Sequence, residues 1–304
     1  MDKYIRFDWA AKRILRQKAN YGVLEGLVTV LLGEPIKIID LLESEANQDD
    51  VNAKFNRVDI KARNSKDEII IVEIQLTREL DFLQRILFGV SKAITEHIFK
   101  GEPYQNVKKV YSINILYFDL GKGSDYLYHG KTVFTGVHSN DTLQLALKEK
   151  DAICFQSPSD IFPEYFLIRV NEFNQVATTP IEEWMDYLKN ARIKEDTKTP
   201  GLSEAREALQ YINMTPDERI AYDQHIDAVL TQRSVLAASR EEGYSDGYAE
   251  GREEGREEGR EEGREEANLD NARKMKALGM AADVIAQITG LSKEEIESIA
   301  TKDN

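Results

Sequence analysis

Cysteine is nearly missing from this chain. Cys154 is the single one among 304 residues, which excludes an internal disulfide framework and a cysteine-cluster zinc site. The four histidines are scattered, and His97, His129 and His138 lack any metal-ligand spacing. No run approaches about 18 consecutive apolar residues, so an ordinary transmembrane helix is excluded. The opening MDKYIRFDWAAKRIL threads acids and bases through its first apolar positions, unlike a secretory signal. These absences predict a soluble, cytoplasmic protein without a membrane partner.

What is present suffices for a core: 41% of residues are apolar, 9% aromatic and 31% charged. The net charge of −14 is unevenly spread. Residues 241–266 hold twelve acids against four arginines, a net of −8, whereas residues 1–110 hold eighteen bases against seventeen acids. The total therefore does not decide whether the N-terminal half meets a polyanion.

Helical spacing predicts short helices over 8–19 and 21–32, the second closed by Gly33 and Pro35. Residues 36–50 are ambiguous, a strand followed by a polar excursion. Val58-Asp59-Ile60 alternates, RNSKDE is turn-like, and Ile69 to Ile74 is a β-branched run, which together predict an antiparallel hairpin. Its second strand, almost wholly apolar, belongs near a sheet centre. A helix from Asp81 to Phe99 follows, then strands over Tyr111–Phe118, Thr132–Val137 and Tyr165–Val170. The order is that of an α/β domain. Beyond Pro180 the chain turns helical, with further helices near 203–213 and 217–237. Gly-Arg-Glu-Glu then repeats from Gly251 to Glu266, and helices near 268–278, 281–289 and 293–300 end the chain.

The chemistry concentrates at Arg57-Val58-Asp59-Ile60 and Ile71-Val72-Glu73-Ile74-Gln75. A carboxylate inside Ile69–Ile74 must face water, pair with a charge or bind a metal, because unpaired burial costs several kcal/mol. Glu73 and Gln75 share a strand face, and Asp59 on the neighbouring strand brings a second carboxylate to them. Two such acids can collect a hard divalent cation. The same pattern also fits a solvated strand face.

The residues from Tyr4 to about Glu183 resemble the Rpn family of recombination-promoting nucleases, the PD-(D/E)XK nuclease family transposases. The resemblance runs through Phe7-Asp8-Trp9-Ala10 with Lys12, Leu24-Glu25-Gly26, Phe55-Asn56-Arg57-Val58-Asp59-Ile60 and Val72-Glu73-Ile74-Gln75. It continues in Glu79-Leu80-Asp81, Arg85, Tyr111 to Ile115 and Tyr117-Phe118-Asp119-Leu120. It implies a PD-(D/E)xK restriction-endonuclease-like core over 1–180, followed by a helical C-terminal extension. That extension divides into 181–240, the acidic repeat 241–266 and a small helical module 267–304.

By this resemblance Asp59 and Glu73 are the metal-binding acids, and Gln75 takes the place of the lysine in the motif. Its amide can orient a water or a phosphate but supplies no cationic ammonium. Glu25 resembles the auxiliary acid that some nuclease relatives bring to such a site, although a helix glutamate is more often solvated or salt-bridged. Asp8 reads as a cap of the first helix. Lys12, Arg57, Arg85 and Lys92 are the candidate phosphate contacts, each of which alone also reads as a surface or ion-paired cation. Cys154 reads as a small core or near-surface residue.

The repeat has no apolar face, and each glycine costs about 1 kcal/mol in a helix interior. Glu253–Arg256 and Glu257–Arg260 are favourable i,i+3 pairs. A solvated helical stalk is expected, with a flexible linker as the alternative. The terminal helices, where Ser292 to Glu295 has capping-box spacing, read as a helix-pair contact rather than a DNA reader, since Glu294, Glu295 and Glu297 oppose the phosphate backbone.

The expectation is a DNA endonuclease dependent on Mg²⁺, with Mn²⁺ as an alternative ion. DNA would be its partner, in recombination or mobile-DNA processing, and the C-terminal helices would support a homo-oligomer. The alternative is a catalytically inactive DNA-binding or protein-interaction adaptor on the same scaffold.

Overall fold

The computed structural model describes residues 4–13, 15–42, 59–149 and 152–299. Two compact units divide the chain, Met1–Asp223 and Gln224–Asn304.

The first unit is built on a six-stranded sheet. Its strands are β1 (Ile38–Leu41), β2 (Ile60–Asn64), β3 (Ile69–Gln75), β4 (Val110–Leu116), β5 (Leu127–Gly130) and β8 (Glu164–Arg169), in the order β1-β2-β3-β4-β8-β5. The hairpin expected from residues 58–74 is present as antiparallel β2 and β3, with Ile60 opposite Val72. β3 then pairs in parallel with β4, which requires a crossover, and α3 (Phe82–Glu96) supplies it. Strands paired on both sides carry apolar groups to both faces. Accordingly, all seven β4 residues are buried, and β3 is buried from Ile69 to Ile74.

Helices α1 (Phe7–Arg13), α2 (Tyr21–Leu32), α4 (Pro180–Asn190) and α5 (Leu202–Ala208) complete this unit. Phe7 meets Trp184 and Tyr187 edge-on, at centroid distances of 6.1 and 6.2 Å. The Trp184 indole N–H donates to the Pro200 carbonyl at 3.1 Å. Gly26 of α2 lies directly against this turn. A Cβ there would stand 2.2 Å from Gly201 Cα, and Gly201 itself has a φ of 81°. The α4 start is held by Glu182, whose Oε2 accepts from the backbone N–H groups of Thr178 and Thr179 at 2.8 and 2.9 Å, and from the Thr178 hydroxyl at 2.7 Å. These bonds hold its carboxyl down at about 2.

Three expectations need correction. The helix expected over 8–19 ends at Arg13, and a short 3-10 turn at Lys18–Asn20 leads into α2. The helix expected over 203–213 ends at Ala208, before a second 3-10 turn at Tyr211–Asn213. The strand expected over 132–137 is replaced by β5, and Thr135 makes only an isolated bridge to Thr142. Its apolar spacing does not track burial, since Val133, Phe134 and Val137 are exposed. A two-stranded hairpin of β6 (Leu145–Glu149) and β7 (Ala152–Gln156) is additional, and Cys154 falls within it.

The helices expected on either side of the repeat are one continuous helix, α6 (Pro216–Ala277), of 62 residues. Residues 230–267 are all exposed. The second unit ends in α7 (Ala282–Thr289) and α8 (Lys293–Ser298). Ala272, Ile285 and Ile296 form their small core, and Lys276 Nζ donates to the carbonyls of Ile296, Glu297 and Ile299 at 2.8 Å. The capping box at Ser292 and Glu295 is formed. No helix among the described residues is long and apolar enough to cross a membrane.

Two outcomes test this packing. Gly26→Ala should cost about 1–3 kcal/mol, because the new methyl meets backbone that cannot swing aside, and the melting temperature should fall by several degrees. For Glu182, a folded-state pKa lowered to about 2 means stability present above the ordinary carboxylate value and lost as pH falls towards 2. Urea unfolding from pH 6 down to pH 2.5 should show wild type losing more stability than Glu182→Gln across this window.

Candidate active site

Side chains alternate along β3, so Ile69, Ile71, Glu73 and Gln75 share one face. The parallel register sets Val110, Ser112, Asn114 and Leu116 beside them. Helix α3 covers this face with two apolar contacts. Val90 and Ala93 pack on Ile69, Ile71 and Val110, while Phe82 packs on Leu116 and Phe118. Between the two lies a polar band. Glu73, Ser112 and Asn114 line a small cleft whose other wall includes Arg85, Ile86 and Gly89 of α3.

Asp59 reaches this band from the start of β2. Its Oδ2 accepts the Ile74 backbone N–H at 2.7 Å, and one step beyond the Ile60–Val72 pair places it opposite Glu73. Arg16 Nη2 donates to the Asp59 carbonyl at 2.8 Å. Glu73 itself is only 5% exposed. Arg85 Nη2 forms an ion pair with Glu73 Oε1, while Nη1 bonds both Glu79 oxygens at 2.8 Å. Gln75 Nε2 donates to Glu79 Oε1, also at 2.8 Å. Burial opposes the Arg85 charge, but the Glu79 hydrogen bond and the attraction of Glu73, Glu79 and Asp59 outweigh it and raise its pKa.

The structure thus brings together Asp59, Glu73, Gln75 and Arg85. Glu25 is engaged elsewhere in α2: its Oε1 accepts the Ile38 N–H at 2.8 Å and its Oε2 pairs with Lys37 at 3.1 Å. Those bonds tie α2 to the start of β1. Asp8 is buried in the first turn of α1 and pairs with Arg6 Nε at 2.9 Å. Lys92 lies two turns after Arg85 on α3, half-buried. Arg57 and the side chain of Lys12 lie outside the described residues.

Four participants were not singled out from sequence for a role: Arg16, Glu79, Ser112 and Asn114. Two of them carried a readable signal. Ser112 and Asn114 are polar at alternate positions of an otherwise apolar strand, the same anomaly that marked Glu73. Asn114 Nδ2 donates to Ser112 Oγ at 3.0 Å and to the Phe166 carbonyl at 3.3 Å, which fixes this pair within the sheet.

Among the described residues, no group of three His, Cys, Asp or Glu side chains is placed to hold a metal ion. Asp59 and Glu73 nevertheless offer two carboxylates, with the Gln75 amide on the same strand face as Glu73. An all-oxygen pair of this kind fits Mg²⁺, which keeps several waters and is commonly bound through one or two carboxylates plus substrate phosphates. It does not fit a closed structural zinc site.

Comparison with curated proteins and with solved structures finds no match. The mixed α/β core, with its central sheet flanked by helices and followed by a helical extension from α4 to α8, is consistent with a PD-(D/E)xK-like fold. Over residues 5–150 the chain matches the family described as PD-(D/E)XK nuclease family transposase.

Proposed function

We propose that the N-terminal unit is a divalent-metal-dependent DNA endonuclease, with Asp59 and Glu73 as the ion-holding acids. The observation that carries this reading is the meeting of two carboxylates from paired strands, one of them buried, beside Gln75. Mg²⁺ or Mn²⁺ held there supplies a Lewis acid for a phosphoryl oxygen and lowers the pKa of bound water. The chain's own groups position the rest. The Gln75 amide donates to and accepts from a water or a non-bridging phosphate oxygen. Arg85 and Arg16 stand at the acids with donors suited to phosphate, and Lys92 extends the cationic character along α3. Glu25 would act on the site only through a rearrangement that releases Ile38 and Lys37. Attack by water needs no covalent protein nucleophile. The transposase description of the family supports a role on mobile or recombining DNA.

A second reading is a DNA-binding adaptor that has lost cleavage. It is favoured by the Glu73–Arg85 ion pair and by the missing third acid among the described residues.

Asp59→Asn and Glu73→Gln separate these readings while keeping side-chain shape. Plasmid nicking in Mg²⁺ should fall by about two orders of magnitude or more in each, the scale for losing a group that stabilises transition-state charge. Circular dichroism should stay unchanged. Salt-sensitive DNA binding with no nicking by the wild type would establish the adaptor instead, and equal nicking by wild type and both variants would remove Asp59 and Glu73 from the chemistry.

A further inference from the structure

Arg85 holds an unusual station. Its Nη2 lies on Glu73, the acid on which ion binding would depend, and its Nη1 lies on Glu79, which also accepts from Gln75. Asp59 adds to the field that keeps the guanidinium charged. This guanidinium comes from the helix that roofs the cleft.

A carboxylate as buried as Glu73 needs a countercharge whether or not a metal is present. A divalent ion on Asp59 and Glu73 would stand against the same guanidinium, and two cations in contact repel strongly where water is scarce. Both cannot hold Glu73 equally well. Glu79 provides the alternative seat, because Nη1 already bonds both of its oxygens without Glu73.

We propose that Arg85 is the resident counter-ion of the Asp59–Glu73 pair and competes with the divalent cation for Glu73. This rests on the metal-dependent reading above. Without the metal Arg85 pairs with Glu73 and holds its carboxylate in place. When the metal binds, Arg85 withdraws to Glu79, which frees Nη2 for a phosphate oxygen. The same side chain is then an inhibitor of metal binding in the free protein and a phosphate contact in the complex. Gln75, bonded to the same Glu79 oxygen, stays linked to Arg85 throughout.

The test is Mn²⁺ binding to the full chain without DNA, followed by electron paramagnetic resonance. Arg85→Gln should bind Mn²⁺ about tenfold more tightly than wild type, or about 1.4 kcal/mol. Arg85→Lys, which keeps the charge, should stay within a few-fold of wild type, and Glu73→Gln should bind at least tenfold more weakly. A purely structural Arg85 predicts the opposite sign, with looser binding in Arg85→Gln. Equal or weaker binding by Arg85→Gln, with wild-type binding measurable and lost in Glu73→Gln, overturns the competition and leaves the metal site standing. No Mn²⁺ binding by wild type or Arg85→Gln overturns both it and the metal-dependent reading. Should Arg85→Gln unfold in chelator, recovery of its fold in Mn²⁺ supports the proposal, and failure to recover overturns it.

Discussion

A charged carboxylate at the centre of an apolar strand is the constraint around which this unit is arranged. Glu73 has Val72 and Ile74 on either side and β2 and β4 paired along both edges of its strand. Strand alternation turns it to the α3 face, where α3 and its approach deliver a countercharge. Arg85 does so from the first turn of that helix, and Glu79 steadies it from the preceding loop. The apolar contacts of Phe82 on one side and Val90 and Ala93 on the other fix where Arg85 emerges. Their packing sets the electrostatics.

The remainder of the first unit gives the sheet a rigid surround. Gly26 and Gly201 allow α2 to approach the turn after α4 at backbone contact, a proximity no larger side chain permits. That approach holds the end of α2 where Glu25 can bond the Ile38 N–H and so orient β1. A glutamate that resembles a catalytic auxiliary is, in this state, a joint between helix and strand. The two roles need different positions of the same carboxylate.

The hairpin, the central position of β3, α2 and the α3 crossover were legible because each rests on a local rule that its neighbours reinforce. β-Branched runs, terminating Gly-Pro signals and a strict helical period all agreed there. Thr132–Val137 failed because its apolar residues are exposed, and alternation reports a strand only when one face is buried. The solvated helical stalk expected over the repeat is present within the 62-residue α6, against the glycine at every fourth position, because propensity is a weak prior; its continuity with the helices on either side was not legible. Residue type and spacing singled out Glu73, Asp59 and Gln75, which the structure brings close together. Arg85 read as a phosphate contact, since its double engagement with Glu73 and Glu79 depends on α3 folding back over β3. Glu79 stood within the resemblance but without a role, because that role arises only when the loop closes.

If Asp59 and Glu73 hold a divalent ion, as proposed, the guanidinium paired with Glu73 has a consequence for how substrate and ion combine. A hard cation prefers oxygen ligands and keeps its water when the protein offers few. On the proposed reading the protein's own cation competes for one of the two acids. Phosphate changes the balance on both sides at once: it adds oxygens for the ion and takes up the donors that Arg85 would otherwise return to Glu73. Metal and phosphate binding are then thermodynamically linked, each strengthening the other by the same factor. The coupling needs no distant conformational switch. On that reading it follows from one arginine shared between Glu73, which the ion would also use, and Glu79, which it would not.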